Sequence, residues 1–531
     1  MRAWLASSLV RHYPASRPTA KSSLRLEAAR GEQVSFQVAF RTEADVREVK
    51  ASAQANGLNV QVRRVGYVPM PHFNVETPLD ELDGVGFVPG LVPDPLFPEN
   101  AITAGPFETN AFWITVRVPT DAKPGRQAVT LTLTAEGEAP VTLTATVRVH
   151  PAVTQPRRDF PVTHWFYSDA LCDWYKVEPF EEAFWPIVEK YLADVAAHNL
   201  DTSHTPLFTP PTDGVKRPHQ LLDVRREADR YRFDWSLVKR WVATAKRAGL
   251  TRFEWPHLFT QWGAKYAIRI YDGHGSSDKL LWDPETPGAS PVYRTFLSQF
   301  LPELKRFLDA EGIMDRSFFH LSDEPHGQEH LNNYRAARQM LRELAPWMKV
   351  MDALSDITFA REGLTDIPIP LITVAPQFLA EGYPAWAYYW GGPRGRYTQR
   401  LLDTPLVKIR MFGWLCYKNR ARGFLQWAYN YWYKSQTREM IDPYQVNDGL
   451  RWPEWSHGDP FMVYPGADGP VDSLRWEVFA ESLQDYALLQ TARVSPDDAM
   501  LEEIQDYAEF PREQAWIAQR RRQVLRILNK R

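Results

Sequence analysis

Cysteine is almost missing from this chain: Cys172 and Cys416 are the only two in 531 residues, and they lie far apart. Alone they form neither a disulfide framework nor a zinc-binding spacing. Long apolar runs are missing too. No stretch of about 18 apolar residues occurs, so no membrane-crossing helix and no membrane insertion is expected. Charge of one sign is also lacking. The 62 Lys and Arg against 65 Asp and Glu leave a net charge of −3, with no long basic run. That argues against nucleic acid or an anionic membrane surface as a partner. Residues 1–10 contain no signal-length apolar stretch, so the chain as given reads as cytoplasmic. No cofactor and no metal are expected. Homodimerisation stays open.

Aromatics and proline are abundant, with 20 Trp, 22 Tyr and 42 Pro. Such an aromatic excess fits a large core. It also fits carbohydrate sites, where flat rings pack on sugar faces. A hydrophobic content of 44% and a charged content of 24% are ordinary for a globular protein.

Residues 1–155 read as a β-sandwich domain. Segments 34–40, 112–118, 129–134 and 141–149 alternate apolar and polar residues with period 2, rich in β-branched types. The Pro- and Gly-rich segment 76–110 reads as a long irregular loop of the kind that reaches toward a site. A proline-flanked linker at 151–158 then changes the pattern to strands alternating with helices. Strands are expected at 162–167, 202–208, 252–259, 317–322, 349–354, 370–374, 386–390 and 424–429. Helices are expected at 180–198, 237–248, 292–308 and 328–344. Eight such strands give the count of a (β/α)8 TIM-like barrel over residues 156–470. Residues 471–531 read as a C-terminal helical extension packed on that barrel, with helices at 473–491 and 513–530. The fold class is thus multidomain, β plus α/β. The run Arg520-Arg521-Arg522 is expected on a solvated helix face.

The functional signal is the stretch Phe318-Phe319-His320-Leu321-Ser322-Asp323-Glu324-Pro325. Neighbouring side chains in a strand point to opposite faces, so two adjacent acids share a pocket only where the strand is ending. Pro325 supplies that ending and biases Glu324 toward extended geometry. Taken alone, Ser-Asp-Glu before a helix is also an ordinary N-terminal cap. The neighbouring strand ends change the balance. His164 and Trp165, His204, His257, His320, Tyr388 to Trp390, and Trp427 with Asn430 all fall at or near the same end of their strands. A lone histidine there is more often a satisfied core residue. A ring of polar and aromatic groups at one rim reads as a site.

Adjacent carboxylates in a closed pocket do not both ionise readily, so one becomes a proton donor beside an anion. Most glycosidases draw two separated carboxylates from different strands. A sequence-adjacent Asp-Glu suits a mechanism in which the substrate's own 2-acetamido oxygen attacks the anomeric carbon.

Three motifs carry a family likeness: Ser322-Asp323-Glu324-Pro325; Tyr388-Tyr389-Trp390 with Gly392-Pro393; and the segment from Gly423 to Trp432. Val463-Tyr464-Pro465-Gly466, with Ser473 to Glu477, adds to it. Together these resemble glycoside hydrolase family 123. The resemblance implies a retaining β-N-acetylgalactosaminidase, acting on terminal β-linked N-acetylgalactosamine of a glycan or glycolipid through an oxazolinium intermediate. Asp323 would orient the acetamido group and stabilise the intermediate, and Glu324 would be the general acid/base. Tyr389, chosen over Tyr388, would bond the acetamido oxygen, and Trp427 would floor the sugar. His164, Trp165, His204, His257, His320, Trp390 and Asn430 are assigned to substrate binding from rim position. Alternatives are a glycosidase without acetamido participation that uses another acid such as Asp352, a non-catalytic carbohydrate-binding protein, and a metal hydrolase built on His320, Asp323 and His326.

Overall fold

A computed structural model describes residues 1–43, 46–210 and 217–530. The N-terminal part is a sandwich of two sheets. The seven-stranded sheet runs Arg2–Ser7, Gln33–Arg41, Thr109–Arg117, Asn59–Met70, Gly90–Phe97, Pro470–Ser473 and Tyr464–Pro465. The five-stranded sheet runs Ser23–Arg30, Val141–Val153, Gly125–Ala135, Val46–Ala55 and Ala101–Ala104. Period-2 alternation sets the packing. Leu143, Ala145, Val147 and Val149 face Phe36, Val38 and Phe40 across one core, while Trp4, Ala39, Ala111 and Trp113 face the other way, into the C-terminal half. The seven-stranded sheet is therefore buried on both faces.

Two expectations change here. Segment 76–110 is not one irregular loop, because Gly90–Phe97 and Ala101–Ala104 are strands within it. Pro93 and Pro95 hid the first of these. They are tolerated because the register with Asn59–Met70 shifts between Val65 and Tyr67, opposite the prolines. The loop before these strands reaches the C-terminal half at Lys408, whose ammonium lies 2.7 Å from Glu81. In addition, two strands from the far end of the chain complete the sandwich sheet at its edge.

Eight short parallel strands follow: Val162–His164, Thr202–His204, Arg252–Trp255, Ser317–Phe319, Met351–Ala353, Ile367–Ile369, Ala387–Tyr388 and Phe424–Gln426. They form a curled sheet in three hydrogen-bonded arcs. One arc joins the seventh, eighth and first strands, another the second to fourth, and the last the fifth and sixth. Single bridges, Phe319 to Val350 and Leu371 to Tyr388, link arcs. Among the described residues no ladder joins the first strand to the second. The strand count of the expected (β/α)8 barrel is present, but as arcs rather than one continuous ladder. The covering helices are uneven as well: those after the fifth and sixth strands, Thr358–Arg361 and Ala375–Ala380, are only 4 and 6 residues long.

Helix Leu474–Ala492 lies between the two halves and is buried almost all round. Its partner, helix Leu406–Lys418, crosses it at Gly413, where a Cβ would sit 1.8 Å from the Ser482 carbonyl oxygen. Only glycine permits that approach. The buried charges of the central helix are each answered. Arg475 pairs with Asp94 at 2.9 Å, Glu477 with Arg63, and Asp485 with Arg410 and Arg521. Arg521 also meets Glu32 of the sandwich. It is thus a buried clasp and not part of a solvated face. Among the described residues no helix is long and apolar enough to cross a membrane.

Candidate active site

The fourth parallel strand ends at Phe319, and the chain leaves it through His320, Leu321 and Ser322 into Asp323 and Glu324. The helix beyond begins at Gly327, with His326 in the capping position and no side-chain cap. The acids are therefore not spent on capping. Glu324 has φ +41°, in the left-handed region, so the expectation that Pro325 would hold it extended is wrong. The reason lies in its anchors: the Glu324 N–H donates to the Ala353 carbonyl at 2.9 Å, and Trp262 N–H donates to the Asp323 carbonyl at 2.8 Å. A backbone fixed at both residues, with a left-handed turn at the second, breaks strand alternation. Both side chains then line one cleft.

That cleft has a volume of ≈ 170 Å³. This is below the ~300–1,000 Å³ typical of drug-sized pockets, which suits a single sugar ring. Its walls include Trp165, Trp262, Tyr388, Trp390, Trp427 and Trp455. Each acid has its own donor. Gln261 Nε2 lies 3.2 Å from Asp323 Oδ2. The Tyr388 hydroxyl donates to Glu324 Oε1 at 2.7 Å. Burial, followed by the charge of Glu324, pushes the Tyr388 phenol well above its ordinary pKa. It stays a neutral donor. Trp427 Nε1 donates to Asp459 Oδ2 at 3.2 Å, which fixes the indole plane. Burial pushes Asp459 up to about 6, against the opposing pull of Arg400.

Beneath the cleft lies a dry polar layer. His320 Nε2 is 2.7 Å from Glu254 Oε1, and its Nδ1 is 3.2 Å from Asp352 Oδ1. Trp165 Nε1 donates to the same Glu254 oxygen at 2.8 Å, so the floor indole is set by this layer. Asp352 also accepts from the backbone N–H groups of Leu321 and Ser322 at 3.0 and 3.2 Å, and from Tyr334 at 2.5 Å. Asp352 thus holds the two residues that precede Asp323 and Glu324.

The rim residues divide into groups. Trp165, Asp323, Glu324, Trp390 and Trp427 line the cleft as expected. His204, His257 and His320 are buried below it, not exposed to it. His204 stacks near Trp165, and His257 stacks on His320 at 4.4 Å. Neither ring nitrogen of His257 finds a partner. Burial, then the neighbouring His320 charge, holds His257 well below its ordinary pKa and neutral. These three histidines therefore do not meet a substrate as expected, and three further assignments need correction. His164 turns outward, with its ring against Phe424, Trp476 and Phe479 and Nε2 on Arg400. Tyr389 turns outward onto Phe412 and Phe424, and Tyr388 is the tyrosine of the two that lines the cleft. Asn430 is a clasp between strand ends, accepting from Tyr167 N–H at 2.9 Å and donating to the Tyr167 carbonyl at 3.0 Å. Trp262, expected just beyond the third strand, also lines the cleft; Tyr388 apart, sequence reasoning missed Gln261, Trp455 and Asp459 at the cleft and Glu254 below it.

No metal hydrolase arrangement forms from His320, Asp323 and His326, because His320 faces inward and His326 is exposed beside His330. His257, His320 and Asp352 do bring ligand atoms within 4.8 Å of one another. Both nitrogens of His320, however, are engaged by carboxylates that favour its protonated form, so it is a poor ligand. In the second such group, Asp194, His198 and Asp472, the Arg63 guanidinium already serves as the cation on Asp472.

The model of the glycoside hydrolase 123 catalytic domain matches residues 165–492, more than half of the chain and every cleft residue named above. Among solved structures, a family 123 glycoside hydrolase from Clostridium perfringens, described for glycolipid glycan hydrolysis, superposes with a TM-score of 0.73. Identity is 14%, and the match covers 99% of this chain and 97% of that one, a likeness of fold. A Bacteroides ovatus GH5 xyloglucanase, at 10% identity over 88% of this chain and 98% of its own, reaches only 0.33 and carries no argument. No curated protein matches the sequence. With its family's catalytic domain spanning the cleft, the chain belongs to glycoside hydrolase family 123 and is a glycoside hydrolase.

Proposed function

We propose that the protein is a retaining exo-glycosidase that removes terminal β-linked N-acetylgalactosamine, with the substrate's acetamido oxygen as the nucleophile. The observation that carries this reading is the left-handed turn at Glu324, which sets two consecutive acids on one wall of a one-ring cleft. Two acids so close together cannot sit on opposite faces of a scissile bond, as separated carboxylates do. They can both serve one face of an amino sugar. Glu324 gives its proton to the glycosidic oxygen while the acetamido oxygen closes on C1 and the leaving group departs. Asp323 accepts from the acetamido N–H and balances the positive charge of the oxazolinium. Tyr388 is placed to donate to the acetamido oxygen once substrate displaces it from Glu324. Water then attacks C1 and Glu324 takes its proton, so two inversions give retention. Trp427 and Trp165 provide apolar faces for the ring. The three arcs act together as one (β/α)8-like barrel that holds the rim rigid. The galacto configuration follows the family resemblance.

Aryl β-N-acetylgalactosaminides and β-N-acetylglucosaminides test the reading directly, together with a thiazoline mimic of the oxazolinium, which should inhibit. Glu324→Gln should lose about 10²–10⁴-fold on substrates with poor leaving groups, the usual range for a general acid. It should lose far less on 2,4-dinitrophenyl glycosides, whose departure needs no proton. An equal loss on both refutes the acid role, and indifference to the thiazoline refutes acetamido participation.

A further inference from the structure

A second groove, ≈ 400 Å³ in volume, adjoins the catalytic cleft. Its lining includes Gln261, Trp262, Tyr266, Arg269, Tyr271 and Glu285. The two spaces share Trp262 as a common wall. They also share a frame, because Gln261 bonds the Asp323 carboxylate and Trp262 N–H bonds the Asp323 carbonyl.

Trp262 is unusual for so large an apolar side chain, being 48% exposed. Its presentation is built in. Trp262 has φ +56° and Ala264 φ +54°, both left-handed and both non-glycine. Between them, Gly263 has φ +103°, and a Cβ there would meet His330 at 2.4 Å. Ala264 N–H is tied to Ser322 Oγ at 3.1 Å, so the loop is fastened to the strand end that carries the catalytic pair. Unfavourable backbone and an exposed indole persist together where the surroundings impose them, and such places cluster at ligand sites. The same groove is lined by Arg269 and Glu285, both exposed and neither in an ion pair among the described residues. A groove that offers a flat ring with an unpaired donor and an unpaired acceptor has the combination that reads a saccharide.

We infer that this groove is the binding site for the reducing-side saccharide of the substrate, the part that leaves when the glycosidic bond breaks. The inference rests on the exo-glycosidase reading above. The cleft holds one ring, so the rest of a glycan must lie outside it, and the groove on the shared Trp262 is an adjoining space with room for it. Binding energy from this remote part is then available to align the bond against Glu324.

The test compares two substrates of the full-length enzyme: a trisaccharide with terminal β-N-acetylgalactosamine on lactose, and the 4-nitrophenyl β-N-acetylgalactosaminide. In the double variant Tyr266→Ala, Arg269→Ala, kcat/KM on the trisaccharide should fall about tenfold more than on the aryl glycoside, the scale of one aromatic contact and one charged hydrogen bond. Tyr266→Phe keeps the ring and should retain most of the trisaccharide activity, which separates loss of the contact from loss of the fold. Equal falls on both substrates overturn the groove assignment while leaving the exo-glycosidase reading intact. Hydrolysis of neither substrate by the unaltered enzyme rejects that reading, and the groove assignment with it.

Discussion

Replacing His320 with Gln tests whether the buried layer beneath the cleft is an electrostatic unit. His320 is 1% exposed, and burial by itself would lower its pKa. The hydrogen bonds and charges of Asp352 and Glu254 override that and lift it to about 10. Glu254 is itself pushed up by burial but ends below the usual carboxylate range because His320 holds its anion, whereas burial wins at Asp352 and leaves it raised. The folded pKa of His320 is thus raised above an unfolded value near 6.5. Its contribution to stability is fully present below about pH 6.5 and is lost as pH rises through about 10. A shift of that size has an upper bound of about 5 kcal/mol, at 1.36 kcal/mol per unit. Removing one partner of a buried pair costs about 3–5 kcal/mol, which agrees. Urea unfolding of parent and His320→Gln at pH 6, 8 and 10 should show a gap of about 3–5 kcal/mol at pH 6 that closes toward pH 10. Because Asp352 holds the Leu321 and Ser322 amides, kcat should fall along with stability. A gap independent of pH, or none at pH 6, refutes a charged His320.

Two further substitutions probe the cleft itself. Tyr388→Phe removes the donor that reaches Glu324 and is proposed to serve the acetamido oxygen. It should lower kcat by about 10²-fold with little change in KM, as for the loss of one oxyanion donor, and steady-state kinetics on the aryl glycoside will show whether KM moves instead. At Asp459, burial raises the folded pKa to about 6 from an ordinary 3.8. For an acid shifted upward, the favourable contribution is present below about pH 3.8 and is lost as pH rises through 6. Asp459→Asn should therefore gain up to about 3 kcal/mol relative to the parent above pH 7 and nothing near pH 4. Urea midpoints at the two pH values check the sign.

Most elements were legible because their signals are local. The sandwich strand at 34–40 sits inside Gln33–Arg41, that at 112–118 overruns Thr109–Arg117 by one residue, and the helix expected at 328–344 is Gly327–Leu344. Seven of the eight parallel strands were found but drawn too long at their C-terminal ends, as with 202–208 against Thr202–His204. Leu207, Phe208, Leu258 and Phe259 are buried in loops after the ladder stops, and burial in a loop leaves the same apolar trace as burial in a strand. The sixth strand was displaced to 370–374 from Ile367–Ile369, because Pro368 and Pro370 make the true strand read as a breaker. The arcs were not legible at all, since ladder gaps depend on neighbours distant in sequence.

Two of the site errors, His164 and Tyr389, share one cause, and the sequence held the remedy. Side chains alternate along a strand, so adjacent residues cannot both face the cleft. Assigning His164 with Trp165, or Tyr389 with Trp390, broke that rule. In the structure the inward set follows one parity on each strand. On the first strand Thr163 and Trp165 turn to Glu254 while His164 turns to Arg400. On the seventh Tyr388 and Trp390 line the cleft while Tyr389 packs on Phe412. On the second Ser203 bonds Trp241 outside while His204 lies by Trp165. Parity also finds what was missed: Glu254, a lone acid in an apolar strand, lies in register with His204 across the sheet. Among the described residues Asp323 and Glu324 are the one adjacent pair that both reach the cleft, and they do so through a left-handed residue that no alternation rule predicts. Where a sequence forces two neighbours to one face, the chain must leave the strand, and the strain of leaving it marks the functional position.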